Sequence, residues 1–194
     1  TGDDGVLGNR WENYIATEHT SGIVRLKYVF ARKPSIGNIL VMRHSERDHA
    51  GMFITGSKDI GLENIYLHQT AGLGILSQYA ENLHFSNIHV VPNKIKGRYF
   101  SGHDDGCHFS NCKGSILVEN CSFAGLMDDP INVHGTAVQI IEKKSATELH
   151  CRFMHEQSIG MRWALTGDKI GFINHNNMQT ICYGTVTSFE ALDT

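Results

Sequence analysis

Apolar and polar residues alternate in short runs along this chain, and the runs recur. Three segments share the order apolar-x-apolar-x-Asn-apolar-x-apolar: Ile60–Leu67, Leu83–Val90 and Ile116–Phe123. Their asparagines, Asn64, Asn87 and Asn120, lie 23 and 33 residues apart. Two-residue alternation inside a repeat in the low twenties predicts short half-buried strands stacked as the coils of a parallel β-helix. One such strand cannot build a core. Stacking at the usual strand spacing aligns the inward rows into a continuous one. Asparagine tolerates the left-handed backbone and bonds its neighbours, so the asparagine row is expected at a bend, as structure rather than catalysis. The longer second interval places an insertion at the Pro92–Tyr99 loop.

A second register runs through the same coils. Gly51-Met-Phe-Ile, Gly74-Ile-Leu-Ser, Gly106-Cys-His-Phe and Pro130-Ile-Asn-Val align at steps of 23, 32 and 24 residues. The residues just ahead are Ala50, Leu73, Asp105 and Asp129, so two coils carry acids where two others carry apolar side chains. Beyond residue 137 the repeat stops. Ala137–Ile141, Glu148–Phe153, Lys169–Ile173 and Cys182–Phe189 predict antiparallel strands of a small barrel or sandwich. The first part of the chain also predicts strands, most clearly at Ile23–Phe30 and Ile39–Met42, and no long helix is expected anywhere. The expected fold class is therefore all-β, with a parallel β-helix segment over residues 1–136 and a small barrel or sandwich over residues 137–194.

Composition narrows the function classes. Hydrophobic residues make up 41% and charged residues 19%, an ordinary globular balance, and the formal net charge is -3. That balance argues against a nucleic-acid surface, which would show a basic stripe. Lys94-Ile-Lys-Gly-Arg98 is too short for one and reads as a solvated loop. No apolar run reaches the ~20 residues of a membrane helix. The chain opens Thr1-Gly-Asp-Asp4 and reads as a mature or excised piece. Cys107, Cys112, Cys121, Cys151 and Cys182 form no CxxC pair, so no structural zinc site is expected, and they read as small buried hydrophobes rather than disulfide partners. The sequence assigns no oligomeric state.

The chemistry concentrates in two pairs, Asp104-Asp105 and Asp128-Asp129, which occupy the same point of the repeat. On adjacent coils they would emerge on one side. Like charges disfavour joint ionisation, so such a cluster can hold one carboxyl as an acid beside an ionised neighbour. Glycoside hydrolysis needs that division. Two rungs could give either the close spacing of a retaining pair or the wider spacing of an inverting one, and both stay open. His103, His108, Asn132, His134 and Gln78 are candidate hydroxyl-binding side chains on the same coils. Asp104 reads equally as a turn cap. The acids and histidines could also ligate a metal, although a calcium site usually draws more ligands from one loop. No G-x-S-x-G, dinucleotide or P-loop pattern occurs. A β-helix polysaccharide lyase would need Ca²⁺ or a Lys/Arg base, in which these coils are poor. A non-catalytic carbohydrate-binding β-helix is the other alternative.

Gly97-Arg-Tyr-Phe-Ser-Gly-His-Asp-Asp-Gly-Cys-His-Phe109, followed by Leu126-Met-Asp-Asp-Pro-Ile-Asn-Val-His-Gly135, resembles the signature of glycoside hydrolase family 110. Gly72–Asn82 resembles it too, and the likeness covers roughly residues 45–140 well. The resemblance implies a right-handed parallel β-helix with small β-barrel insertions. It implies exo-acting α-1,3-galactosidase activity of a bacterial type that includes enzymes acting on the blood group B antigen. It implies inversion at the anomeric carbon, no cofactor or metal, galactose-terminated glycans as substrates, and a secreted or periplasmic setting. Carried over, the catalytic carboxylates are Asp105, as general acid, and Asp128 or Asp129, as general base. Family members are several hundred residues long, so this chain corresponds to a central slice.

Overall fold

The computed structural model describes residues 15–27, 34–41 and 48–192. The chain divides into two compact units, residues 1–46 and 47–194. In the first unit, β1 (Ile15–Thr20) and β2 (Ile23–Lys27) form an antiparallel hairpin. Gly22, at φ +78°, turns it. Ile39, Leu40 and Val41 are not in a strand and are exposed, contrary to the expectation for Ile39–Met42. An apolar run of that length has no strand unless a partner edge covers it. Phe30 and Met42, the far ends of the two expected strands, lie outside the described residues.

The second unit is built on two parallel sheets. β3 (Met52–Thr55), β5 (Ile75–Gln78), β7 (Cys107–Ser110) and β10 (Ile131–His134) form one sheet in the order β10-β7-β5-β3. β4 (Lys58–Leu67), β6 (Glu81–Val90) and β8 (Lys113–Glu119) form the other, and the short β9 (Ser122–Phe123) also pairs with β6. In chain order the strands alternate between the sheets. Lone parallel bridges, Thr70 to Gly102 and Gly102 to Leu126, mark a third line of contact. Strand pairing follows the sequence register: Met52 faces Ile75, Ile75 faces Cys107, and Cys107 faces Ile131. This alternation is compatible with stacked coils.

The repeated motif has a local cause. Ile60 and Leu62 face inward at two-residue spacing, and so do Ile65 and Leu67, but the two pairs are out of phase. Asn64 at φ +58° inserts the bend that brings both back to the core. Asn87 and Asn120, at φ +56° and +54°, repeat it one rung on. Asn87 Nδ2 donates to Asn64 Oδ1 at 2.6 Å, which links the first two members of the row. Phe85 and Phe109 lie at the centre of the core, ring centroids 5.4 Å apart, with Ile75, Leu83, Ile88, Val90 and Cys107 around them.

After β10 the strands become antiparallel: β11 (Val138–Lys143) with β12 (Leu149–Phe153), and β13 (Lys169–Ile173) with β14 (Thr180–Thr185). Thr136 ties this part to the sheets. Its N–H donates to Asn111 Oδ1 at 2.9 Å, and its carbonyl accepts from Trp163 Nε1 at 2.6 Å. The Arg162 guanidinium lies 4.7 Å over the Tyr79 ring, and Lys113 pairs with Asp168. Among the described residues, helix is limited to single 3-10 turns at Lys94–Lys96, in the expected insertion, and Glu156–Ser158. No helix there is long and apolar enough to cross a membrane.

Candidate active site

The acids sit where the chain enters the first sheet. Gly74 N–H donates to Asp105 O at 2.8 Å, and Gly106 N–H donates to Asp129 O at 2.9 Å. Leu73, Asp105 and Asp129 therefore occupy one level on successive rungs. Close approach requires the glycines that follow. A Cβ on Gly74 would lie 2.3 Å from the Gly106 carbonyl oxygen, and one on Gly106 would lie 2.7 Å from that of Pro130.

Asp105, Asp128 and Asp129 each place a carboxylate oxygen within 4.8 Å of the other two. Asp105 lies at the floor, 2% exposed, while Asp128 and Asp129 are open to solvent. The loops are cross-linked. Asp129 N–H lies 3.2 Å from Asp105 Oδ1 and 3.1 Å from Asp128 Oδ1. Three oxygens this close could approach a cation, but a hard divalent ion takes about six or more oxygen ligands. Among the described residues no further Asp, Glu, His or Cys joins the group.

Alternation in the first sheet places the polar candidates together. Ile75 and Ser77, and Cys107 and Phe109, are buried, so positions 76, 78, 108, 110, 132 and 134 take the other face. Leu76, His108 and Asn132 form one row across it, and Gln78, Ser110 and His134 the next. His108, Asn132, His134 and Gln78 thus share the face above which the acids emerge. Ser110 falls in this row by register but is buried at 1% exposure, closed to a substrate.

The histidines are committed to partners. His108 Nδ1 meets Asp105 Oδ2 at 2.6 Å, and its Nε2 meets His134 Nε2 at 2.8 Å. His134 Nδ1 meets the Gly135 carbonyl at 3.2 Å. His103 Nδ1 meets Asp104 Oδ2 at 3.0 Å, and its Nε2 is buried with no hydrogen-bond partner. Asp104 is 2% exposed, and its Oδ2 meets the His103 ring. A shallow depression lined by Ile60, Gly61, Leu83, His84 and Leu117 lies on the other sheet and has no such acid cluster.

Known proteins place this arrangement in context. Residues 148–194 match the family description "GLAA-B beta-barrel domain II". The chain is 50% identical over 197 aligned residues to a Bacteroides thetaiotaomicron protein named alpha-1,3-galactosidase B, covering 100% of this chain and 31% of that protein. It is 40% identical over 171 residues to alpha-1,3-galactosidase A of Bacteroides fragilis, covering 88% and 28%. It is 37% identical over 162 residues to alpha-1,3-galactosidase B of Parabacteroides distasonis, covering 81% and 26%. The chain thus spans between about a quarter and a third of the length of these curated relatives. The resemblance to glycoside hydrolase family 110 carried by the two aspartate motifs is borne out by them.

Proposed function

We propose, on the premise that this chain is homologous along its whole length to the α-1,3-galactosidases, that it carries the acid–base centre of a glycosidase removing terminal α-1,3-linked galactose. The observation that carries the reading is the convergence of Asp105, Asp128 and Asp129 from two loops one rung apart. A glycosidic bond needs a proton on its leaving oxygen and an activated water or a nucleophile at the anomeric carbon. Asp105 takes the first task and Asp128 or Asp129 the second. Asn132 and Gln78 would read the sugar hydroxyls; His103, whose Nδ1 meets Asp104 and whose Nε2 is buried, is not placed to do so. Hydroxyl recognition needs side chains that both donate and accept, and the two amides on the outer face supply them. Galactose-terminated glycans are the partners, in a secreted or periplasmic setting.

The two alternating parallel sheets and the third line of bridges support right-handed parallel β-helix coils over residues 52–134 of the expected 1–136 segment, the hairpin of residues 15–27 being antiparallel, with the antiparallel part over residues 137–194 as a small barrel. Inversion follows from the family resemblance. The nearest acid oxygens lie within 4.8 Å of one another, nearer the about 5–5.5 Å of a retaining pair than the about 6.5–9.5 Å with which an inverting pair makes room for a water. Stereochemistry is therefore the sharpest part of the proposal. Proton NMR of the first-released sugar is expected to show β-galactose, and only from α-1,3-linked substrates in a panel with α-1,4 and α-1,6 controls. Release of α-galactose first would remove inversion. No release from any α-galactoside, with an ultraviolet-absorbing unsaturated product from uronate polymers instead, would replace the reading with a lyase.

A further inference from the structure

Three hydrogen bonds run in series from the buried acid to the surface. Asp105 Oδ2 meets His108 Nδ1, His108 Nε2 meets His134 Nε2, and His134 Nδ1 meets the Gly135 carbonyl, at 2.6, 2.8 and 3.2 Å. A carbonyl oxygen only accepts, so His134 Nδ1 carries a proton. If His134 is otherwise neutral, its Nε2 is a lone pair and His108 Nε2 must donate. His108 Nδ1 then faces Asp105 as a second lone pair unless a proton lies between them. If instead His134 carries protons on both nitrogens, it donates to His108 Nε2, and His108 Nδ1–H donates to the Asp105 carboxylate. Each arrangement that satisfies all three contacts contains one proton more than an ionised Asp105 beside two neutral imidazoles. The form without it places two lone pairs against each other at one of the three contacts.

We infer that His108 and His134 form a proton-holding chain behind Asp105, which keeps that carboxyl supplied with the proton it gives away. They act as positioning residues through Asp105, not as readers of sugar hydroxyls. His108 has no ring nitrogen left for a substrate, and its side chain is only 12% exposed. His134 is exposed and connects the chain to water. The titratable groups around the pair are Asp105 on the loop before β7, and Asp128 and Asp129 on the loop before β10. On the other side β5 presents Leu76 and Gln78, neither of which titrates. His103 and Asp104, just before Asp105, are paired with each other.

This inference rests on the acid role proposed above for Asp105. In the step itself, Asp105 gives its proton to the glycosidic oxygen as the carbon–oxygen bond breaks and the electron pair stays on that oxygen. The base carboxylate takes a proton from the attacking water. Asp105 is left ionised against a His108 Nδ1 lone pair. One proton taken up from water makes His108 an imidazolium, and transfer across the 2.6 Å contact restores the acid. The base releases its proton to water, so the cycle closes with no net proton change.

The test has two arms on the whole protein. Nitrogen-15 NMR of the histidine rings, assigned with His134→Phe, reads the tautomers whether or not the protein cleaves a sugar. His134 Nδ1–H together with a proton on His108 Nε2 or a doubly protonated His134 is expected across the active pH range. His108 neutral with its only proton on Nδ1, beside a neutral His134, overturns the inference. In the second arm, the pH profile of kcat/KM is compared for wild type and His134→Phe. Without His134, His108 can donate to an ionised Asp105 with no conflict at Nε2. The alkaline limb is then expected to move to lower pH, with rate lost above it. A uniform drop with an unmoved limb fits a binding or structural role and overturns the inference. Protonated rings in a protein that cleaves no galactoside would sink the galactosidase reading and leave the chain of protons standing.

Discussion

Replacing Gly106 by alanine adds one methyl group where two rungs touch. The new Cβ would lie 2.5 Å from Phe123 Cδ1, 2.7 Å from the Pro130 carbonyl oxygen and 3.0 Å from Leu126 Cδ1. The two side chains can shift, but the backbone oxygen cannot move without its strand. Restoring a 3.4 Å contact from 2.7 Å requires a shift of about 0.7 Å. Two hydrogen bonds cross the same gap, Gly106 N to Asp129 O at 2.9 Å and Cys107 N to Pro130 O at 3.0 Å. That shift would stretch both beyond the ordinary limit of about 3.2 Å. Weakening two bonds costs about 0.5–1.5 kcal/mol each, and overpacking about 1–3 kcal/mol. The expected loss is therefore about 2–6 kcal/mol, against a total stability of about 5–15 kcal/mol. Asp129 would also move relative to Asp105, so activity should fall with stability. Urea denaturation followed by circular dichroism measures the loss. Gly61→Ala is the matched control, since a Cβ there meets nothing within 4 Å. It should be neutral or stabilising by up to about 1 kcal/mol. Equal stabilities for the two variants would refute the reasoning.

Three further outcomes follow from other parts of the fold. Asn87→Ala removes the bonds to Asn64 and His89 and puts a Cβ-bearing residue without a local bond at φ +56°. It should cost about 2–3 kcal/mol, with Asn87→Gly recovering part of that in the same denaturation assay. A bond from Lys113, and then one from the Leu165 N–H, hold the Asp168 carboxyl below its ordinary value. Its contribution is present above the unfolded value, near 3.8, and is lost as pH falls through the lower folded value. Asp168→Asn should therefore destabilise the protein at pH 7, with the gap from wild type closing on acidification below that range. The Cys107 thiol is pushed up to about 12, chiefly by burial, whereas Cys151 and Cys182 are exposed. Iodoacetamide at pH 8 should label the latter two in the native protein and reach Cys107 only after unfolding. Native labelling of Cys107 would contradict its place in the core.

Strand register was legible because two signals agreed. The asparagines mark a left-handed bend, and the apolar pairs on either side mark the faces. Left-handed positions held by other side chains were not legible: Tyr79 and Met178 take φ +53° and +58°, and neither residue type advertises that backbone. Ile39–Val41 misled for the opposite reason, since apolar content alone does not supply a strand partner. At the site, the meeting of Asp105 with Asp128 and Asp129 followed from counting residues between motifs. The joining of His108 to His134 did not. The two lie 26 residues apart and in adjacent rows, two residues off in register, and ring orientation decides the contact. His103 and Asp104 are neighbours in sequence, yet only burial reveals that each is the other's partner.

The account depends on three acids acting on one bond. Initial rates of galactose release from a terminal α-1,3-galactoside, measured for Asp105→Asn, Asp128→Asn and Asp129→Asn in the whole protein with unfolding midpoints alongside, test it most directly. Each variant is expected to keep its fold and lose roughly 10²–10⁴-fold in kcat, the usual contribution of a positioned acid or base. Wild-type turnover in any two of the three would contradict it.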